Sequence, residues 1–168
     1  MAKKKNLKMF IPGAIACVFG IAAFCMIFVD AVSYVGKVMG SEFSFTGLQL
    51  AFGAEIEPIS GVTLDALDFN IMTTLAFLLP VIGGILSLIT KNGLIMKIIT
   101  TACFVVGAVF LFSTTGFTAI SLGGNDAKDA ITLLFDEKLA AGPIVAGVLA
   151  ILGAVVCFFK GTIAKMLG

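Results

Sequence analysis

Four apolar runs divide this chain, and the charges between them are sorted by sign. The runs cover residues 9–35, 71–90, 94–120 and 140–159. Lys3, Lys4, Lys5 and Lys8 precede the first, Lys91 and Lys97 sit where the second meets the third, and Lys160 and Lys165 follow the fourth. No acidic residue joins them. Asp30, Glu42, Glu55, Glu57, Asp65, Asp68, Asp126, Asp129, Asp136 and Glu137 all fall at or within the other two connections, with only Lys37, Lys128 and Lys138 for company. A hydrocarbon core about 30 Å thick takes roughly 20 apolar residues in a helix, so each run is long enough to cross it. Lysine excess in short loops marks the cytoplasmic side. The pattern predicts four spans, both termini in the cytoplasm, and outer loops at residues 36–70 and 121–139.

Composition agrees. The chain is 60% hydrophobic with a mean hydropathy of +1.15, beyond what a soluble domain carries. A net charge of +1 gives no overall field to gather nucleic acid. The first run continues well past Cys17, so it is expected to remain a membrane helix and not a cleaved leader. Cys17, Cys25, Cys103 and Cys157 all lie in the apolar runs, which excludes an extracellular disulfide framework and leaves buried thiols acting as small hydrophobes.

The lysine-side connections are too short to hold a domain. Lys91-Asn92-Gly93 reads as a helix stop and immediate restart. The first outer loop differs. Phe43 and Phe45 alternate with Ser44 and Thr46, and Leu48, Leu50 and Phe52 alternate with Gln49 and Ala51. Period two is the strand signal, and the change of phase at Gly47 suggests a bulge. A second alternating piece runs from residue 59 to 67. These predict a small antiparallel outer sheet. In the second outer loop, Asn125 is expected to cap a helix running through Ile131, Leu134 and Phe135.

Catalytic chemistry finds little purchase. The chain has no histidine, which removes the commonest base and metal ligand. Glu55 and Glu57 would point the same way from a strand, and Asp126, Asp129, Asp136 and Glu137 cluster in sequence. No Asp-x-Asp-x-Asp-Gly loop organises either group for calcium. Asp30 reads as interfacial. No catalytic residue, metal ligand or cofactor is expected, and the chain reads as a non-enzyme.

Two features point to self-association. The outer strand, with Phe43, Phe45, Gly47, Leu48, Leu50 and Phe52, carries more large apolar groups than a solvated hairpin needs. On the fourth run Gly142, Ala146, Ala150 and Ala154 recur every four residues, a ridge that lets another helix come close, either within the bundle or between subunits. Pro80, with Gly83 and Gly84 after it, predicts a kink in the second span.

The layout resembles the claudin-type four-helix membrane proteins: termini inside, a long strand-forming first outer loop, a tight inner turn and a shorter second outer loop. Gly47-Leu48 matches the start of that family's Gly-Leu-Trp element, with Gln49 in place of the tryptophan, and the family's paired loop cysteines are absent. The resemblance implies an extracellular sheet on a left-handed bundle and lateral assembly through that sheet.

The sequence therefore predicts an all-α membrane protein, a single integral domain over residues 1–168: a four-helix transmembrane bundle with a small extracellular antiparallel β-sheet. Its expected partners are membrane lipid, further copies of itself in a homo-oligomer, and an extracellular protein, with no nucleic acid. Its expected role is structural or cell contact, and Phe45→Lys should disperse the assembly. The alternative is an oligomeric pore, channel or transport subunit for a neutral or small solute, lined by Ser87, Thr100, Thr101, Ser113, Thr114 and Thr115.

Overall fold

The computed structural model describes residues 2–37, 42–59, 62–90, 93–118, 120–122, 125–126 and 128–166. The chain opens with α1 (Ala2–Cys25) and a 3-10 turn (Met26–Phe28), then β1 (Asp30–Gly36), β2 (Glu42–Thr46), α2 (Gly47–Phe52), β3 (Ala54–Ile59) and β4 (Val62–Leu67). Two long helices follow, α3 (Ile71–Ile89) and α4 (Leu94–Phe112), then α5 (Thr114–Phe117), β5 (Ser121–Leu122) and β6 (Asn125–Asp126). The last elements are α6 (Lys128–Leu134), β7 (Phe135–Leu139), α7 (Ala141–Phe158) and α8 (Lys160–Met166). Lys91 and Asn92 of the expected turn, and Gly123 and Gly124, lie outside the described residues.

The protein is mostly helical, with four apolar helices and a three-stranded antiparallel sheet. Phe10–Phe28, Ile71–Ile89, Leu94–Phe112 and Ala141–Phe158 are each long and apolar enough to cross a membrane. They form a ring in which α1 and α4 each pack against both α3 and α7. The ring closes on small residues: Ala16, Ala23, Ala76, Ala108, Ala146, Ala150 and Ala154 are buried around Phe77, Phe104 and Leu111. Small side chains let backbones approach, and the contacts around Pro80 show how far. α3 runs unbroken through Pro80. A Cβ on Gly20 of α1 would stand 2.4 Å from the Pro80 carbonyl oxygen, and one on Gly107 of α4 would stand 2.8 Å from the Pro80 ring.

Several boundaries differ from the sequence reading. The third run forms α4 only as far as Phe112, then the short α5, and is not one helix to residue 120. The first apolar run is not one helix to residue 35: it breaks at the 3-10 turn, and Asp30–Gly36 becomes the central strand of the sheet. Residues 47–52 do not continue the strand. Gly47–Phe52 is a helix capped by a reciprocal box, in which Thr46 Oγ1 accepts from Gln49 N at 3.3 Å and Thr46 N donates to Gln49 Oε1 at 2.9 Å. Asn125 lies in β6, its backbone paired with Leu122, three positions before α6 begins at Lys128. The expected helix of the second loop exists as α6, but Phe135 already belongs to β7.

The sheet order is β2-β1-β7, so strands from the first outer connection and the end of the second meet across β1. β3 and β4 form a separate hairpin, and Leu67 bridges to Ile120. A second small core lies here, made of Ala31, Val32, Tyr34, Phe45, Leu50, Leu67 and Ile120.

Candidate assembly surface and the polar ties behind it

Alternation along the three strands puts one set of side chains inward. Tyr34 stands opposite Phe43 on β2 and Glu137 on β7. The Tyr34 and Phe43 rings stack at 5.1 Å between centroids, and Phe135 meets Phe43 edge-on at 5.0 Å. Phe45 closes against Tyr34 at 6.1 Å. Cross-strand aromatic pairs of this kind stabilise a sheet and fix its register. Ser33, Ser44, Asp136 and Lys138 occupy the other phase.

Glu137 is the hub of this inner face. Its Oε1 accepts from the Tyr34 hydroxyl at 2.9 Å and from the Thr118 hydroxyl. Its Oε2 lies 3.9 Å from Lys128 Nζ, which also donates to the carbonyls of Thr115 and Thr118 at 3.0 Å each. One carboxylate thus ties β1, β7, the end of α5 and α6 together. Burial, reinforced by the Glu137 charge, holds the Tyr34 phenol well above its ordinary value of 10.0. The acids that cluster in sequence are therefore separated in space: Asp136 faces outward and pairs with Lys37 at 3.5 Å, while Asp129 is exposed. The signal for Glu137 was present in Phe135-Asp136-Glu137-Lys138-Leu139, where it shares the phase of two apolar residues.

A second tie joins the far ends of the long helices. Lys160, at the start of α8, buries its ammonium and donates to the carbonyls of Ser87 and Thr90, the latter at 3.1 Å, at the end of α3. A cation there complements the helix dipole, and burial pulls the amine below the ordinary lysine value.

Phe45 is only 8% exposed and Leu50 is buried, so neither offers a contact surface. Gly47 is buried, where a Cβ would meet the Phe77 ring and the Ile27 carbonyl at 2.9 Å. Phe43 and Leu48 are partly open, and Phe52 is 61% exposed beside Phe69, at 59%, their rings 6.3 Å apart. Behind Phe52 a recess of about 420 Å³ is bordered by Gly53, Ala54, Glu55 and Leu67. α6 presents Leu133, at 77% exposed, next to Leu134. Among the described residues, β2 and β7 each leave one edge without a further strand.

Gly142, Ala146, Ala150 and Ala154 are buried against the chain's own helices; a Cβ on Gly142 would press on the Met26 and Asp30 carbonyls. Of the hydroxyls considered for a pore, Thr100 bonds back to Met96 and Lys97, and Thr114 to Phe110 and Leu111. Ser87 and Thr101 keep buried hydroxyls without a partner. Among the described residues, no three His, Cys, Asp or Glu side chains come together. Of the cysteines, Cys157 is buried and Cys25 is exposed at the end of α1.

No family model, curated protein or solved structure matches this chain.

Proposed function

We propose that this chain is a non-enzymatic, self-associating multi-pass membrane protein, with both termini cytoplasmic and a structural or cell-contact role exerted through its outer elements. The membrane reading is supported by the outward faces of the four helices, where Ile89, Leu94, Ile95 and Ile98 among many others stand exposed. In water such a surface would aggregate; in lipid it is solvated. The sorted lysines supply the orientation. The claudin-type layout belongs to this proposal too.

The observation that carries self-association is an apolar patch on a braced platform. Leu48 and Phe52 of α2 and the neighbouring Phe69 stand exposed, β2 leaves one edge open among the described residues, and the Glu137 hub holds the sheet in place. An unpaired strand edge and an exposed aromatic pair are each a ready surface for a second copy or an extracellular protein. The contact is thus assigned to α2 and the strand edge, because Phe45→Lys would place a charge in the small core and unfold it.

Light scattering in mild detergent should give an oligomer for the wild-type chain and smaller species for Phe52→Lys, with unchanged helical circular dichroism. A wild-type chain that is strictly monomeric overturns the reading. Reconstituted liposomes discriminate the pore alternative, since a structural protein leaves ions and dyes sealed in.

A further inference from the structure

Between α4 and α7 a groove of about 400 Å³ opens on the outside of the bundle. Its floor is Ala108 and Ala154, and its walls include Val105, Phe112, Ile151 and Val155. From Thr101 to Phe112 it follows α4 for about 16 Å at 1.5 Å per residue. That is roughly half of a 30 Å hydrocarbon core, the depth of one leaflet. Phe158 closes one end, and there Lys97 Nζ sits 4.4 Å from the centre of the Phe158 ring.

The groove's lining is almost wholly apolar, and the charge beside that end is one-sided: Lys97, Lys160 and Lys165 lie there, and the sequence places no acid in the connections on that side.

We infer that this groove binds an anionic glycerophospholipid of the lysine-side leaflet, with its phosphate at Lys97 and one acyl chain lying along Ala108 and Ala154. An uncharged acyl chain alone would fill the groove but leave the lysine at its mouth without a counter-charge. The inference rests on the membrane reading above.

The test uses the full chain, extracted from membranes in mild detergent and titrated with phosphatidylglycerol and phosphatidylcholine of identical acyl chains, with adducts read by native mass spectrometry. Phosphatidylglycerol should be retained over phosphatidylcholine. Lys97→Gln should reduce that preference roughly fivefold, the order expected for one lysine near anionic lipid. Val155→Trp, on the exposed wall, should remove both lipids. Equal retention of the two lipids that ignores Lys97→Gln overturns the site. A lipid-free dimer that Val155→Trp converts to monomer also overturns it, giving the groove to a second copy. Release of the chain from membranes by alkaline carbonate would instead defeat the membrane reading itself.

Discussion

Tyr34 is the sole tyrosine of a chain without tryptophan, so its phenol can be followed alone by ultraviolet absorbance. Burial and the neighbouring Glu137 carboxylate raise its ionisation above 10.0 in the folded protein. Above pH 10 the unfolded chain releases this proton while the folded chain keeps it. The stabilisation is complete below that pH and is lost as pH rises beyond it, by at most about 1.4 kcal/mol per pH unit. Absorbance at the phenolate band should stay flat through pH 10 in the folded protein and rise there after denaturation. Tyr34→Phe should flatten the alkaline fall in stability while costing about 1 kcal/mol at neutral pH. The second buried polar group gives a matching expectation. Lys160→Met removes two charged hydrogen bonds to α3 and should lower resistance to unfolding by sodium dodecyl sulfate by about 2 kcal/mol.

At the scale of the element, α2 is where local signals conflict. Leu48, Leu50 and Phe52 alternate as in a strand, yet Thr46-Gly47-Leu48-Gln49 spells a capping box. Six residues hold fewer than two helical turns, so periodicity alone does not separate the two states. The cap decides, because both of its hydrogen bonds form. Gly53 then ends the helix at φ 95, a backbone angle that favours glycine. Thr46→Ala should cost about 1 kcal/mol of local stability. Hydrogen exchange should show this as roughly fivefold faster exchange of the α2 amides. β1 presents the opposite difficulty: Asp30–Gly36 lies at the end of an apolar run and looks helical until its partners β2 and β7 are known.

At the scale of the whole molecule, the ring of long helices depends on how closely α1, α3 and α4 approach at Pro80. Gly20→Ala sets a methyl against the Pro80 carbonyl and should destabilise the bundle by about 1–3 kcal/mol in detergent unfolding. Gly116→Ala meets nothing within 4 Å and should be nearly neutral. Orientation is tested on intact cells, with single cysteines placed in a cysteine-free background. A membrane-impermeant maleimide should label Leu133→Cys and spare Met166→Cys, and the reverse result would invert the assignment.

The existence of four long apolar helices followed from sequence alone, with close bounds for the second and fourth. The first, however, ends at Cys25 and not at residue 35, and the third at Phe112 and not at residue 120. A run of some twenty apolar residues forms its backbone hydrogen bonds within itself, whatever surrounds it. The sorted lysines were equally plain, since charge needs no partner to be counted. The sheet was only half legible. Phe43 and Phe45 announced a strand, but its partner β1 comes from the end of the first apolar run, and β1's other partner comes from residues 135–139, about a hundred positions away. Strand pairing is non-local, and tertiary structure chose it. Tertiary structure also turned Glu137 from one acid in a surface cluster into the hub beneath Tyr34, and spent the ridge from Gly142 to Ala154 inside the chain. A side chain's burial depends on what packs over it, and that covering arrives from distant segments.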